Sequence, residues 1–448
     1  MKPLLPLTLL FLLSAGSLSA QIPTFLFRRH TASAEAAHST RKDTILYLDL
    51  SGRNLTAIPE WVYACTNLRT LDLSRNPIAE LPRRLNRLKK LHKITCDGTP
   101  IQQQQRFAPD SLMTEKLKSM SAARQRQVLD SFATLNSIQA EAVEQQLLKI
   151  GRLRHVRTLV INNRYLNEMP RVWKIRKLDT LNISRNRLTS LPRQMKKLKH
   201  LTAFYADYNR LTHDITWYPL PQLKKLSLIS NRLEILPPAI GQYRSLISIN
   251  VAGNKIAQVA PETARLQQLR QIILYGNQLT AIPDCIFDLQ ALEELDVYMN
   301  QITEVPEKIS RLKNLTHLYL SFNRIEKLPE GIAQLQHLKG LYAHRNRLSQ
   351  LSDSYAALQN LEVLRVQENR LSIFPNFILQ LPNIREVNVA QNQLSDLPIA
   401  KLMDLPKLSF FHANSNPFMP EFLESRLVKE FLQKGENRKL NYVITGRD

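Results

Sequence analysis

Apolar residues recur along this chain on a beat of 22 or 23 residues. Leu68 to Pro82 reads LRTLDLSRNPIAELP, and Leu315 to Pro329 reads LTHLYLSFNRIEKLP. Both follow the frame L-x-x-L-x-L-x-x-N-x-L-x-x-L-P. Units set on it start at Ile45, Leu68 and Leu91, and again at Val156, Leu178, Leu201, Leu223, Leu246, Leu269, Leu292, Leu315, Leu338, Leu361, Ile384 and Leu408. The central L-x-L has period two. It predicts a short strand whose leucines face inward and whose intervening residues face out. Stacked units pair these strands into a parallel sheet. The Asn turns the chain out of the strand, and its amide carries donors and an acceptor for backbone groups that a tight buried turn leaves unpaired. Twelve of the fifteen units carry it, from Asn76 to Asn416; Arg53, Thr99 and Arg164 take its place in the others. These three flank the N-terminus or an interruption, where irregular stacking is expected. The Leu-Pro step leads to a far side with apolar residues three apart, as in Ile309, Leu312 and Leu315.

The frame breaks once. Val156 lies 55 residues beyond Ile101, where other units leave 13. The extra residues predict a short helix over Ser111 to Met120 and an amphipathic helix from Ala122 to Ile150, with Val128, Phe132, Leu135, Ala142, Val143, Leu147 and Ile150 on one face. This insertion reads either as a bracket packed on the convex side or as a second binding surface. Beyond the last unit, Phe422, Leu423, Leu427, Val428, Phe431 and Leu432 mark a helix that would cover the open edge of the final strand.

The frame resembles the 23-residue leucine-rich repeats of the L-P-x-x-I-x-x-L type, found in bacterial repeat proteins, plant Ras-group proteins and animal Ras-related scaffolds. The resemblance covers roughly Ile45 to Phe418. It implies an α/β fold: a curved leucine-rich-repeat solenoid with a parallel concave sheet, here with a helical insertion and a C-terminal capping helix. The implied organisation is a signal segment at 1–20, a basic flexible lead-in at 21–44, repeats at 45–101, the insertion at 102–152, repeats at 153–418 and a cap at 419–448. Proteins of this kind mostly act as binding scaffolds, and the motif specifies the fold far better than the partner.

Outward positions three, five and seven of each unit form the concave face. Between Leu269 and Gln367 they supply Tyr275, Glu294, Asp296, Tyr298, His317, Tyr319, Tyr342, His344 and Arg365. Tyr275 should stack beside Tyr298, and Tyr319 beside Tyr342; Glu294 should lie next to His317, and Gly340 should leave a gap. Tyrosine is rigid, amphipathic and enriched at binding hot spots, so this face is the expected site for a protein partner. Strand propensity alone also favours tyrosine in such sheets.

Charge adds a rival reading. The net charge is +23. The residue after the ladder Asn is Arg187, Arg210, Arg232, Lys255, Arg324, Arg347 or Arg370 in seven units, which predicts a basic edge, with further cations on the convex side at Arg83, Arg84, Arg87, Lys89, Lys90, Lys196, Lys197 and Lys199. Such a surface suits an anionic envelope surface or glycan, or else simply keeps the protein solvated. Nothing points to sequence-specific nucleic-acid binding.

Leu4 to Leu13 is an apolar run preceded by Lys2 and followed by Ser17-Leu18-Ser19-Ala20, the pattern of an export signal with the mature chain starting at Gln21. Retention as an anchor is the alternative, and no later stretch reads as membrane-spanning. The three cysteines, Cys65, Cys96 and Cys285, do not make a disulfide framework; Cys65 and Cys96 fall on core positions. No phosphate-binding glycine loop and no G-x-S-x-G is present. His317 and His344 lie one strand and four positions apart, roughly 13 Å at about 3.3 Å per residue, too far to share a metal. Repeat-bearing bacterial ubiquitin ligases carry a catalytic Cys in a large extra domain, whereas no Cys follows Phe418 here. The expectation is a non-catalytic binding scaffold without metal or cofactor.

Overall fold

The computed structural model describes residues 31–33, 41–98, 149–438 and 440–446. Its backbone is a repeat solenoid. Each of the fifteen units gives one strand that begins two residues after the predicted start, from Tyr47–Asp49 through Glu294–Asp296 to Phe410–His412. Neighbours pair in parallel and in fixed register, as in Glu294 with His317 and Gly340, and Asp296 with Tyr319 and Tyr342. Burial alternates as period two requires: Leu295 is buried between the partly exposed Glu294 and Asp296. The inward leucines and isoleucines of all units form one continuous core. On the convex side most units turn through a short 3-10 helix after the Pro, whose fixed φ leads the chain out of its extended approach. Glu307–Arg311 after Pro306 is an example, with Ile309 buried.

The Asn ladder holds consecutive units together. Asn300 accepts from the Leu279 backbone N–H at 3.0 Å and donates to the carbonyls of Leu274 and Val297, each at 3.0 Å. One amide thus ties its own turn to the unit before. Arg164 departs from the ladder in an orderly way. Its buried guanidinium donates to the Ile78 carbonyl at 2.7 Å. A longer side chain reaches past the unit in which Thr99 stands at the Asn position.

Several boundaries differ from expectation. Among the described residues the sheet has seventeen strands, two more than the units supply. Thr31–Ser33, inside the supposedly flexible lead-in, pairs in parallel with Tyr47–Asp49. Asn441–Val443, beyond the cap, pairs with Phe410–His412. The expected helices at 111–120 and 122–150 lie outside the described residues except at the end, and there Lys149–Ile150 is a strand, not helix. It runs parallel to Glu80–Leu81. Gly151 allows that return: a Cβ there would stand 2.8 Å from the Arg83 backbone nitrogen.

At the C-terminal end, helices Pro420–Leu423 and Arg426–Asn437 cover the last coil. Phe431 packs edge-on against Phe411 at 5.5 Å, and Tyr442 stacks on Phe431 at 4.5 Å. Leu427, expected on the covering face, is 48% exposed. Successive residues of a helix diverge by about 100°, and Val428 takes the inward place beside it. All three cysteines are buried and free.

Candidate partner-binding face

The concave side chains of the C-terminal repeats form two aromatic groups. In the first, Tyr319 and Tyr342 stack at 4.5 Å with ring planes 11° apart, and His317 lies parallel to Tyr319 at 6.2 Å. Arg365 sits over the outer face of Tyr342 at 5.8 Å and pairs with Glu386. The gap expected at Gly340 is filled. A Cβ on Gly340 would meet Tyr342 Cε2 at 2.7 Å and His317 Cδ2 at 3.0 Å, so the tyrosine ring lies over the glycine. This glycine is a seat for Tyr342 rather than a hole.

The second group runs along the exit of the strands. Tyr275 and Tyr298 meet at 5.1 Å, Tyr298 and Phe322 at 4.8 Å, and His344 reaches Tyr298 at 5.9 Å. His344 can reach back across a whole unit because Ser321, between them, is small. The Ser321 hydroxyl accepts from the His344 backbone N–H at 3.1 Å and lies 2.7 Å from Nδ1. Burial, and then Arg365 and Arg345, pull the His344 pKa down to about 4, so its ring is neutral near pH 7. Next along the same row, Gln367 has a buried Oε1 without a hydrogen-bond partner among the described residues.

Phe322 escaped the sequence reading, as did Met299 and Arg345. They occupy the eighth position, just before the ladder Asn, where strict alternation no longer predicts direction. The backbone there is left-handed, with φ 55° at Met299, 56° at Phe322 and 52° at Arg345. Left-handed backbone costs a residue with a Cβ on the order of 1–2 kcal/mol. Gly253 and Gly276 avoid that cost at the same position; Phe322 does not, and its ring joins Tyr298 and His344 under the Arg345 guanidinium, 4.5 Å away. Arg345 is in turn paired with Glu368 at 2.5 Å. The usable signal was the residue preceding each ladder Asn.

Two carboxylates lie between the aromatic groups. Ser248 donates to Gln271 at 2.6 Å and Gln271 to Glu294 at 2.8 Å, a relay that orients Glu294. Asp296 accepts the Tyr298 backbone N–H at 2.9 Å. Burial, with a smaller contribution from Glu294, pushes its pKa up to about 7. Burial likewise lifts Tyr298, to about 12, and Tyr319 and Tyr342 above the ordinary phenol range. Near neutral pH this face therefore offers mostly uncharged rings and hydroxyls.

The basic edge is less uniform than its spacing suggests. Arg187 stacks on Tyr165 at 4.7 Å, and Arg347 faces Glu326 at 3.8 Å. Arg210, Arg232, Arg324 and Arg370 are exposed. Gln278 and Gln301 interrupt the row between Lys255 and Arg324. Charge is instead graded along the chain. From 151 to 200, fourteen Lys and Arg stand against Glu168 and Asp179 alone; from 251 to 400, fourteen stand against fifteen acids. The aromatic face thus sits in the charge-balanced part. No described group of three or more His, Cys, Asp or Glu is arranged to hold a metal, and no described helix is long and apolar enough to cross a membrane.

Models of the leucine-rich repeat match residues 267–325, 291–348, 313–371 and 64–79. A leucine-rich-repeat protein of Leptospira interrogans is similar over 92% of this chain and 99% of its own, at 23% identity and TM-score 0.66. An internalin of Listeria monocytogenes covers 83% of this chain and 87% of its own, at 19% identity and TM-score 0.57. A plant peptide hormone receptor, solved in complex with RGF2, matches 84% of this chain over 56% of its own length, at 20% identity and TM-score 0.57. At these identities the likeness establishes the fold: this is a leucine-rich-repeat solenoid.

Proposed function

We propose that this protein is a non-catalytic, exported scaffold that holds a protein or peptide partner on the concave face of its C-terminal repeats. The observation that carries the reading is the continuous, partly exposed aromatic surface from Tyr275 through Tyr298, Phe322 and His344, beside the Tyr319–Tyr342 stack. Tyr275 is 39% exposed and Met299 51% exposed at its margin. Rings already packed against one another lose little side-chain entropy when a partner covers them. Glu294 and Asp296 supply polar contacts, and Arg365 sits at the rim. The fold is one shared with a hormone receptor solved in complex with RGF2. Within this reading the repeats, at 45–101 and 153–418, are of the 23-residue type, and export follows the segment ending near Ala20.

The test is capture from the envelope fraction of the source cell by an immobilised chain starting at Gln21, run beside the Tyr319→Ala/Tyr342→Ala variant. A protein retained by the first and lost by the second supports the reading. Equal retention by both overturns it. Export is checked separately by mass spectrometry of the soluble exported protein, whose N-terminus should lie close to Gln21; an intact Met1 on cytoplasmic protein would contradict it.

A further inference from the structure

We infer that the first repeats carry a second interaction surface, distinct from the concave face, that binds a linear acidic glycan along one edge of the solenoid. Each unit enters its strand through an exposed turn. Two residues before the unit start, four consecutive units place Lys89, Arg154, Arg176 and Lys199. In the next position stand Lys90, His155, Lys177 and His200. All eight are exposed. The strands that follow are paired in register, Lys93 with Thr158, Thr158 with Thr180 and Thr180 with Ala203, so equal positions are neighbours. Strands about 4.8 Å apart thus set the cations in a line that crosses four coils.

The same turn positions show what the fold itself asks for. Downstream, the first of them is Pro221 and Arg244 in the next two units, and then Gln267, Gln290, Lys313, Gln336 and Gln359. The second, from the third of these units on, is Gln268, Ala291, Asn314, His337, Asn360 or Asn383, and each of the three asparagine amides donates to the carbonyl one coil earlier, at 2.8, 2.8 and 2.9 Å. Asn67, before the stripe, makes the same bond to Asp43 at 2.6 Å. In the stripe that tie is given up for a cation at Lys177 and for a ring at His155 and His200. The side chains of Arg154, Arg176 and Lys199 form no ion pair with any described residue, and Glu168 and Asp179 are the only acids between 151 and 200. Like charges crowded without compensation repel one another; an anionic chain laid along them relieves that repulsion and releases counterions.

The shape of the stripe selects among anions. It is narrow and linear, suited to a polymer with an acid on successive units, whose carboxylates or sulfates Arg can hold in bidentate fashion. The exposed large apolar residues of the described chain all lie outside it, so it offers no apolar wedge for a bilayer, and its rings, His155 and His200, stand two coils apart, not as the run of adjacent aromatic platforms on which successive bases stack.

The test is binding of the purified protein to labelled heparin, to a single-stranded oligothymidylate and to phosphatidylglycerol vesicles, across a salt series. Heparin should bind best and weaken steeply with salt. Arg154→Gln/Arg176→Gln/Lys199→Gln installs the residue that downstream turns already use, so the fold should hold. It should lower heparin affinity more than tenfold and flatten the salt dependence. The matched control, Arg324→Gln/Arg347→Gln/Arg370→Gln, removes the same charge and should stay within about threefold of the parent. Equal losses in the two variants would reduce the stripe to a net-charge effect and overturn the proposal. So would absence of heparin binding, or tighter binding of oligothymidylate or vesicles than of heparin.

Discussion

The coils around Val156 to Leu201 and those around Leu269 to Leu361 share one backbone and differ in what fills its free positions. The inward residues interchange freely: Leu181 and Leu318 occupy equivalent, fully buried places. Outward, the early strands present Thr158, Val160, Thr180 and Asn182, the later ones Glu294, Asp296, His317, Tyr319 and Tyr342. At the turns the early coils carry cations where Asn314 and Asn360 of the later coils donate an amide to the neighbouring coil. Repeat architectures separate stability, set by unit and interface, from recognition, set by the remaining surface. A single chain can therefore hold an electrostatic edge and an aromatic face without either disturbing the core. Substitutions confined to one region or the other decide whether the two act separately.

The largest effect should come from the aromatic face. Tyr319→Ala with Tyr342→Ala removes a stacked pair and touches no inward leucine, so melting should change little while partner affinity falls more than tenfold. Each buried aromatic anchor can contribute about 2 kcal/mol. Gly340→Ala approaches the same result from below, since its methyl group would displace the Tyr342 ring. If this variant binds normally, the seated position of Tyr342 is irrelevant to recognition.

Next comes the ladder that makes the two regions one molecule. Asn300→Ala leaves the Leu279 N–H and the Leu274 and Val297 carbonyls without their partner. It should cost on the order of 1–3 kcal/mol in urea unfolding. Arg53→Ala, in the first unit, should cost much less; equal costs would contradict the ladder's role. This ladder, and with it the strand start of each of the fifteen units, was legible in the sequence, because a buried turn tolerates few side chains and the period-two leucines admit one register. The strands Thr31–Ser33 and Asn441–Val443 were not, since neither carries the frame and edge pairing is made by backbone groups common to any sequence. Phe322 and the seat at Gly340 were hidden for a related reason: side-chain direction at a left-handed residue, or above a glycine, does not follow alternation. The charge gradient was present in plain letters. Sorting cations by face conceals it, and sorting them along the chain reveals it.

A buried carboxylate gives a third, smaller contrast. Asp207, on the early concave face, accepts from the Ser227 hydroxyl at 2.5 Å and the Ile229 N–H at 2.9 Å. Asp296 has the Tyr298 N–H alone. Its pKa, raised by burial from 3.8 to about 7, means the folded state favours the protonated form. Asp296 therefore contributes most to stability at pH below its unfolded value and loses that contribution as pH rises through about 7. Asp296→Asn should melt higher than the parent at about pH 8, by some 1–2 kcal/mol after screening of a partly exposed group, with the advantage gone near pH 4. Burial raises the Asp207 pKa too, but the Ser227 and Ile229 hydrogen bonds pull against it, so Asp207→Asn should show a smaller gain than Asp296→Asn. A parallel response of the two variants would mean that burial alone, and not the missing partners, governs the later face.

The smallest effect is expected at the edge row of Arg324, Arg347 and Arg370, and that smallness discriminates. These residues flank the aromatic face along the exit of the strands, so a partner steered by general positive charge would sense them. Arg347 already faces Glu326, and the surrounding repeats carry as many acids as bases. Exposed charges farther apart than a Debye length, about 8 Å at physiological salt, are largely screened. Charge reversal, Arg324→Glu/Arg347→Glu/Arg370→Glu, should therefore leave the dissociation rate of the concave-face partner within about twofold, with any change confined to the association rate and fading as salt is raised. Surface-plasmon measurements at two salt concentrations separate these terms. If the reversed edge abolishes binding while Tyr319→Ala/Tyr342→Ala does not, recognition runs along the edge through the length of the solenoid, and the division between an electrostatic and an aromatic region fails.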